Sequence, residues 1–569
     1  MSLNSDELVW QVFPKQDAVV EGISQRLEQD PLVAQLLLNR NIRSLTAARS
    51  FLNPPEGGFS EGFLEDDLVQ FASILTEAIE QKQRIFIVGD YDVDGMTSTS
   101  ILTMFLRECG AEVAYYIPHR FSEGYGLNMG MMDTVIHQKV ELLITLDCGI
   151  KDHAELTYLA KHSDTKVVIM DHHTMPEVPP PSNLIINPKC LPETHPYYFL
   201  CTAGIVFKVL GDYVKRCGLD MDINQYSDLA ALGTVADVVP LIDENRVIVL
   251  QGLKRLSQRK NVGIRALLDA AEIDAPSITS TDIGFGIGPR LNAAGRLRHA
   301  KAGVALLTET DHQEAFRMAK KLDRLNQERR EIGERMYKEA VAMVEADPSM
   351  LDDKVLVLSS PIWHSGVIGI TAAQLVKDYK VPAILISADG KVARGSSRTV
   401  PGVNCYDLLS KCDEYFVGFG GHKEAAGFSI EIPKIEAFQT ALRKVARETI
   451  VPEDCRFVVD IDAVLEPARL TLQTLGIIET LMPYGHGNPE PVFYTNKLVP
   501  VEFKTVGNGQ HLKCTFSDQT GKIMIDAIGF RLSDKIDRLY KKNVELVFNL
   551  DVNRWMGRET MQLRLIDIK

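Results

Sequence analysis

The sequence predicts an α/β protein: two α/β lobes joined by a long helix, then a small β-barrel. Three observations carry that prediction. Between about 66 and 240, apolar strand-like runs alternate with helical patterns, the mark of a parallel sheet layered with helices. From Asp311 to about Ala346 the chain turns strongly charged, with Phe316, Ala319, Leu322, Leu325, Ile332 and Met336 on one stripe; a polar helix of this length bridges two domains. In roughly the last 115 residues short strands dominate, among them Ile523-Met524-Ile525-Asp526-Ala527-Ile528 and Val544-Glu545-Leu546-Val547-Phe548. Turn residues such as Gly507-Asn508-Gly509 separate them, and the OB fold is one barrel that fits.

In chain order, residues 1–60 are an N-terminal helical segment closed by the breaker Asn53-Pro54-Pro55-Glu56-Gly57-Gly58. Residues 61–310 make the first lobe, whose apolar runs are Ile85-Phe86-Ile87-Val88, Leu142-Leu143-Ile144-Thr145-Leu146 and Val167-Val168-Ile169-Met170; Pro179-Pro180-Pro181 marks an irregular loop. The connecting helix takes 311–347. The second lobe takes 348–452 and begins with the strand Val355-Leu356-Val357-Leu358. The OB-like domain takes 453–569.

A chain of 569 residues has ample material for several cores, and its 45% hydrophobic and 24% charged content is ordinary for a soluble globular protein. The start Met1-Ser-Leu-Asn-Ser-Asp-Glu lacks a basic stretch followed by an apolar one, so no signal peptide is expected. No apolar run approaches the ~20 residues of a membrane helix. Nine scattered cysteines without a Cys-x-x-Cys pair suit a reducing cytoplasm and speak against disulfides or a structural zinc site. A cytoplasmic protein without membrane contact is expected. The net charge of −14 argues against a nucleic-acid partner only as a global sum, because recognition is local. Residues 246–335 hold 17 Lys/Arg against 11 Asp/Glu, a surplus of six, and are either a basic surface or ordinary solvated helices.

The most informative stretch is Gly89-Asp90-Tyr91-Asp92-Val93-Asp94-Gly95. Three carboxylates alternate over five residues after an apolar run, and like charges this close need a cation. The next two apolar runs end in Asp147 and in Asp171-His172-His173. Three strands with potential ligands at their C-terminal ends predict one site on the ligand-binding edge of a parallel sheet. A calcium-binding EF-hand loop begins with the same pattern. It requires a preceding helix and a Glu at position twelve, and position twelve from Asp90 is Ile101. A solvated acidic turn would not explain the other two strand ends.

Locally, alternation brings Asp92 and Asp94 together where the strand opens into a loop. Gly95 permits a tight turn, and Thr97 or Ser98 caps a helix over Ile101–Cys109 whose positive end favours a bound phosphate. Asp237, alone among apolar neighbours in Ala231–Pro240, is a fourth contribution; its bland alternative is a helix-end Asp. This many carboxylates and imidazoles exceed the needs of one octahedral ion. Two Mg²⁺ or Mn²⁺ ions about 3.5–4 Å apart would use them, activating a bridging water for phosphate-ester hydrolysis.

These residues resemble a family. Asp90-x-Asp92-x-Asp94-Gly, Asp147-Cys-Gly and Asp171-His172-His173 are similar to motifs of the DHH phosphoesterase superfamily. Within it, four further motifs resemble the RecJ family: Arg120-Phe-Ser-Glu123-Gly-Tyr-Gly-Leu-Asn128, Gly288-Pro-Arg290-Leu-Asn-Ala-Ala-Gly-Arg296-Leu, Trp363-His364-Ser-Gly-Val-Ile-Gly-Ile and Gly420-Gly-His422-Lys-Glu-Ala-Ala-Gly427. So do Leu481–Phe493 and Asn553–Arg558. The resemblance covers about 60–569. It implies a bacterial 5′→3′ exonuclease specific for single-stranded DNA, with DNA in the cleft between a DHH lobe and a DHH-associated lobe. It names Asp92, Asp94, Asp147, His172 and Asp237 as metal ligands. Asp90 and His173 complete the catalytic set, one finishing a coordination shell and the other touching the scissile phosphate. It further implies a role in recombination and repair, and contact with single-strand-binding protein; a monomer is expected. Thr399 stands where the family often has Ser, which keeps a hydroxyl donor.

For substrate, Arg398 and Ser396 in a Gly-containing turn suit a terminal phosphate through a bidentate guanidinium and a hydroxyl. By resemblance Arg120 and an arginine of the Arg290–Arg296 motif join them at the DNA 5′ end. His422 approaches the scissile phosphate or binds DNA, and Tyr484, Phe493 and Trp555 are candidates for base stacking. Each arginine taken singly also fits a surface ion pair, each histidine a structural role, and each aromatic a barrel core. Two other functions compete with the exonuclease. A small-substrate phosphoesterase acting on oligonucleotides, cyclic dinucleotides or pyrophosphate needs only the two lobes. A non-catalytic DNA-binding scaffold would have lost metal carboxylates, and here all are present.

Overall fold

The computed structural model describes residues 8–55, 58, 64–541, 543–555 and 558–569. In the N-terminal segment the strand β1 (Val9–Val12) precedes the expected helices Asp17–Leu27, Pro31–Asn39 and Leu45–Leu52. The first lobe follows, with β2 (Ile85–Gly89), β3 (Val113–Tyr116), β4 (Leu142–Leu146), β5 (Lys166–Met170) and β6 (Leu184–Ile186). The sheet order is β3-β2-β4-β5-β6 and every pairing is parallel. Every residue of β2 and β4 is buried, which is why these runs are apolar throughout rather than alternating. On one face Ile87, Ile101, Phe105, Ile144 and Ile205 share a core with the helices Val93–Glu108, Thr202–Cys217 and Ser227–Ala236; on the other, Phe86, Leu143 and Ile169 meet Met132, Leu156 and Leu159.

The chain leaves β2 toward β3 and later crosses back to β4, so the strand order reverses between β2 and β4. An open α/β sheet binds ligands outside the carboxyl ends of the strands at such a reversal. The register aligns those ends: Gly89 pairs with Leu146, and Leu146 with Met170. Asp90, Asp147 and Asp171, one residue further on, therefore stand in a row.

The connecting helix runs from His312 to Ala346, capped by Asp311, whose carboxylate accepts the Glu314 N–H at 2.8 Å. Its buried stripe holds Ala319, Leu322, Leu325 and Met336 as expected; Phe316 instead lies outside it, 45% exposed. The second lobe contains β7 (Leu356–Ser360), β8 (Ala383–Ser387), β9 (Val392–Arg398), β10 (Phe416–Gly421) and β11 (Ala425–Glu431) in the order β10-β11-β9-β8-β7, with only β7 and β8 parallel.

The C-terminal region is β-rich, as expected. After β12 (Val458–Ile461) come β13 (Ala463–Val464), β14 (Phe493–Thr495), β15 (Leu498–Val506), β16 (His511–Asp518), β17 (Met524–Gly529), β18 (Leu546–Trp555) and β19 (Arg558–Ile568). The ladder β13-β14-β18-β19-β17-β16-β15 is open at its ends among the described residues, an arrangement compatible with the partly open OB barrel. Phe493, Phe516, Phe548, Leu563 and Leu565 fill its core, each contributing about 1.5–3 kcal/mol by burial. Phe493 is thus a core residue, not a stacking surface, and the Trp555 side chain lies outside the described residues. Tyr484 is turned inward too, its hydroxyl donating to the Ile478 carbonyl at 2.5 Å.

The N-terminal helices do not stand alone. Leu36, Leu37 and Phe51 share the C-terminal core, and β1 pairs in parallel with β12. Arg246 fastens the joint: buried, it donates to the Phe51 carbonyl at 2.8 Å and the Leu481 carbonyl at 2.9 Å. One cation of the 246–335 surplus is therefore internal, not part of a basic surface. No helix among the described residues is long and apolar enough to cross a membrane.

Candidate metal centre and phosphate cleft

The helix after β2 begins eight residues earlier than its sequence pattern suggests, at Val93. Its cap is Asp92, not Thr97 or Ser98: Asp92 Oδ1 accepts from the backbone of Asp94 at 2.9 Å and of Gly95 at 3.1 Å. Gly95 is needed for close approach rather than for a turn. A Cβ there would lie 2.4 Å from the Asp90 carbonyl oxygen. The first helical turn thus folds back on the strand end and holds three carboxylates together.

Each remaining acidic group is placed by a different element. Asp94 receives Thr202 N–H at 2.7 Å and Ala203 N–H at 2.8 Å, so the N-terminus of the Thr202–Cys217 helix grips its carboxylate. Asp147 follows β4 with φ +63°, its Oδ1 accepting the Thr202 hydroxyl at 3.2 Å. Asp237 caps the C-terminal end of Ser227–Ala236, where the helix dipole disfavours an anion. His172 spans the group: its Nε2 lies 3.3 Å from Asp147 Oδ1 and 3.6 Å from Asp237 Oδ2. His173 Nδ1 donates to Asp171 Oδ1 at 2.7 Å.

The electrostatics call for cations. Burial, then the neighbouring carboxylates, push Asp90, Asp147 and Asp237 well above the usual range, and Asp94 up to about 6. Burial with His173 nearby lowers His172 to about 3, keeping the imidazole neutral and its lone pair available. Asp90 Oδ1 and Asp237 Oδ2 are buried without a hydrogen-bond partner. Three overlapping triads, Asp90–Asp92–Asp147, Asp94–His172–Asp237 and Asp147–His172–His173, bring their ligand atoms within 4.8 Å of one another. An oxygen-rich set with imidazoles and two orphaned carboxylate oxygens fits Mn²⁺ or Mg²⁺.

Beside this centre lies a cluster of guanidiniums. Arg296 is half-buried, donates to the Gly366 carbonyl at 3.2 Å, and is lowered to about 9 by burial and then by Arg120, Arg398 and Arg329. Burial and Arg120 also lower Arg398, whose Nη1 donates to Ser396 Oγ at 3.3 Å. Ser396 and Arg398 sit on β9, a strand rather than the expected Gly-containing turn. Behind them a Cβ on Gly369 would meet Ser396 Oγ at 2.8 Å, so the first turn of Ile368–Tyr379 lines the same pocket. Arg120 lies over the Tyr91 ring, 4.9 Å from its centroid, which ties the cluster to the acidic loop. Among the described residues no carboxylate pairs with Arg120, Arg296 or Arg398. Arg290 is committed elsewhere, to Asp323 at 2.9 Å and the Gly286 carbonyl at 2.8 Å.

His422, after β10 in the second lobe, faces the first lobe: burial, Lys151 and His173 lower it together. Phe121 bridges the lobes edge-on to His364 at 5.6 Å, while Arg394 donates to its carbonyl at 2.7 Å. Sequence reasoning left Thr202, Tyr125 and Arg329 out of the site. Tyr125 donates to the Asp147 carbonyl at 2.9 Å, and Arg329 reaches the cluster from the connecting helix. Of these only Tyr125 had a sequence signal, its place in the Arg120–Asn128 motif, while Asp171, expected at the strand end, holds His173.

Family models match the chain in three places: the DHH family N-terminal domain over residues 84–234, the DHHA1 domain over 352–448 and the RecJ OB domain over 461–567. The chain is 32% identical over 567 residues to the single-stranded-DNA-specific exonuclease RecJ of Bacillus subtilis, covering 99% of this chain and 71% of that protein. To the protein of the same description from Escherichia coli it is 33% identical over 562 residues, covering 95% and 96%. The crystal structure of RecJ from Thermus thermophilus in complex with Mn²⁺ matches with a TM-score of 0.84 at 30% identity, covering 99% of this chain and 80% of that one. Its complex with Mg²⁺ matches with a TM-score of 0.79 at 29% identity, covering 99% and 79%.

Proposed function

The chain belongs to the RecJ family of single-stranded-DNA-specific exonucleases, and we propose that it works from the 5′ end, releasing 5′-mononucleotides with two divalent cations. It is a metal-dependent exonuclease of single-stranded DNA, and DNA repair and recombination are the setting consistent with that family. The observation that carries the polarity is the guanidinium cluster of Arg120, Arg296 and Arg398 beside the metal centre. A terminal 5′ phosphate supplies the ion-pair partner these half-buried cations lack among the described residues, through charge-assisted and bidentate hydrogen bonds. A 3′ hydroxyl end offers them nothing comparable.

In this reading Asp90, Asp92, Asp94, Asp147, His172, His173 and Asp237 form the catalytic set: Asp92, Asp94, Asp147, His172 and Asp237 would be direct metal ligands, and of Asp90 and His173 one would complete a coordination shell and the other touch the scissile phosphate. Mn²⁺ or Mg²⁺, when bound, supplies a nucleophilic water at neutral pH and stabilises charge on the phosphoryl oxygens. The chain does the rest. The two helix N-termini orient Asp92 and Asp94, and His172 stays neutral as a lone-pair donor. His422 closes from the second lobe as a hydrogen-bond donor to the scissile phosphate. We assign catalysis to 61–310, the terminal-phosphate pocket largely to 348–452 and strand guidance to 453–569. Every group named comes from one chain, which suits a monomer; contact with single-strand-binding protein is carried over from the family resemblance.

Digestion of single strands labelled at either end, with Mn²⁺, with Mg²⁺ and with a chelator, tests this. The 5′ label should appear as mononucleotide from the first turnover. Shortening from the 3′ end with the 5′ label retained overturns the polarity, and undiminished activity in chelator overturns the metal assignment.

A further inference from the structure

Phe285 is the most exposed large apolar side chain among the described residues, at 83%. It is not on a loose loop. It stands on a single π-helical turn, Asp282–Ile287, at the head of the Gly288–Leu297 helix. Pro289 explains the turn: its ring has no N–H and would collide with the carbonyl four residues back, that of Phe285, and a widened turn relieves the clash. Such turns concentrate at functional sites. This one is pinned on both flanks. Ile283 and Ile287 are fully buried, and Asp282 Oδ2 accepts from Thr279 N–H at 2.8 Å and from its hydroxyl at 2.7 Å. Arg290, tied to Asp323, donates to the Gly286 carbonyl. A rigid scaffold thus holds an aromatic ring out into solvent, between two glycines that have no side chain to cover it.

Its position connects it to the reaction. Gly288 packs on the end of the Ser227–Ala236 helix, where a Cβ would lie 3.7 Å from that of Ala236, the residue before Asp237. The residue after Asp237, Val238, is 65% exposed and has φ +59°, a left-handed backbone that a β-branched residue adopts only under constraint. On the far side, the Ser280 hydroxyl donates to the Tyr484 carbonyl at 2.5 Å, and Leu241 N–H to the His486 carbonyl at 2.7 Å. The π-turn and the Asp237–Leu241 segment therefore form one wall running from the metal centre to the C-terminal β domain. Two exposed apolar side chains, Phe285 and Val238, project from that wall.

We propose that Phe285 is a stacking platform for a base of the single strand beyond the scissile phosphate, with Val238 flanking the same track. This deepens the single-stranded-DNA reading above and rests on it. An aromatic face accepts any base, so it guides the strand without selecting sequence.

The test uses the full chain with Mn²⁺ and 5′-phosphorylated oligodeoxynucleotides carrying one abasic residue at successive positions. Wild type should slow by about five- to tenfold when the abasic residue falls at one position. Phe285→Ala should flatten that profile and raise KM for the intact strand more than it lowers kcat. Phe285→Trp should restore the profile, with indole emission quenched by oligo(dT). An identical abasic profile in wild type and Phe285→Ala overturns the proposal, as does normal digestion with no dependence on position, the outcome for a protein-docking ring. Failure of wild type to digest the intact strand overturns instead the exonuclease reading beneath it.

Discussion

Asp171 Oδ1 accepts two hydrogen bonds from His173, from its Nδ1 at 2.7 Å and from its backbone N–H at 3.0 Å. A carboxylate only accepts, so the imidazole proton sits on Nδ1 and the Nε2 lone pair is left for other work. Burial favours protonation of Asp171, yet the His173 bonds outweigh it and hold the carboxyl below its usual range. Asp171→Asn keeps the shape and removes the charge. Its Mn²⁺ affinity should fall by about 10–100-fold, the usual cost of losing a carboxylate that fixes an imidazole at a metal site. Calorimetric titration of the metal-free variant checks this, and wild-type affinity would show that Asp171 only packs.

Asp147 is raised by burial, Asp94, Asp92, Asp237 and Asp90, in that order. Removing its charge relieves repulsion among buried anions when no metal is bound. Asp147→Asn should melt no lower than wild type in chelator, lose the thermal upshift that Mn²⁺ produces, and lose about three orders of magnitude or more in kcat. A variant that unfolds in chelator would show that Asp147 holds the sheet edge together rather than a cation.

The carboxylates set the sign of the pH dependence. Asp90, Asp94, Asp147 and Asp237 have folded-state pKa values above their unfolded ones. Their contribution to stability is full at low pH and is lost as pH rises through the folded values, about 6 for Asp94. His172, lowered to about 3, acts in the opposite sense but only below its unfolded value near 6.5. Between about pH 4 and 6 the four carboxylates outweigh the one imidazole, so the metal-free protein should lose stability as pH rises, while the Mn²⁺-induced rise in Tm grows. Metal binding should release protons, seen as a binding enthalpy that varies with buffer ionisation enthalpy. An Mn²⁺ effect that shrinks over this range would contradict the arrangement.

The strand ends were legible because strands buried on both faces read as unbroken apolar runs, and an acid directly after one is conspicuous. The helix after β2 was not legible at its start. It is buried on all sides, so Thr97, Ser98 and Ser100 carry no amphipathic period; each hydroxyl instead donates to a carbonyl one turn back. Arg290 and Arg296 looked equivalent in one motif. Six residues apart on a helix they point about 120° apart, so one meets Asp323 and the other the cleft. Thr202 and Arg329 join the site only through tertiary packing, which leaves no local trace.

Arg398 is where strand polarity is tested on a single side chain. Its guanidinium is half-buried, donates to Ser396 Oγ and the Ser397 carbonyl, and shares its surroundings with Arg120 and Arg296. Three cations without a carboxylate repel one another, so the pocket is at its best with a dianionic terminal phosphate inside. Arg398→Ala removes one charge-assisted partner, worth about 1.5–3 kcal/mol, or ten- to a hundredfold in KM for 5′-phosphorylated strands. The same variant should lose little on strands ending in a 5′ hydroxyl, so the preference between the two ends should collapse while Mn²⁺ affinity stays put. Arg398→Lys keeps the charge without the planar fork and should recover only part of the preference. Equal losses on both kinds of end would place Arg398 along the strand rather than at its terminus.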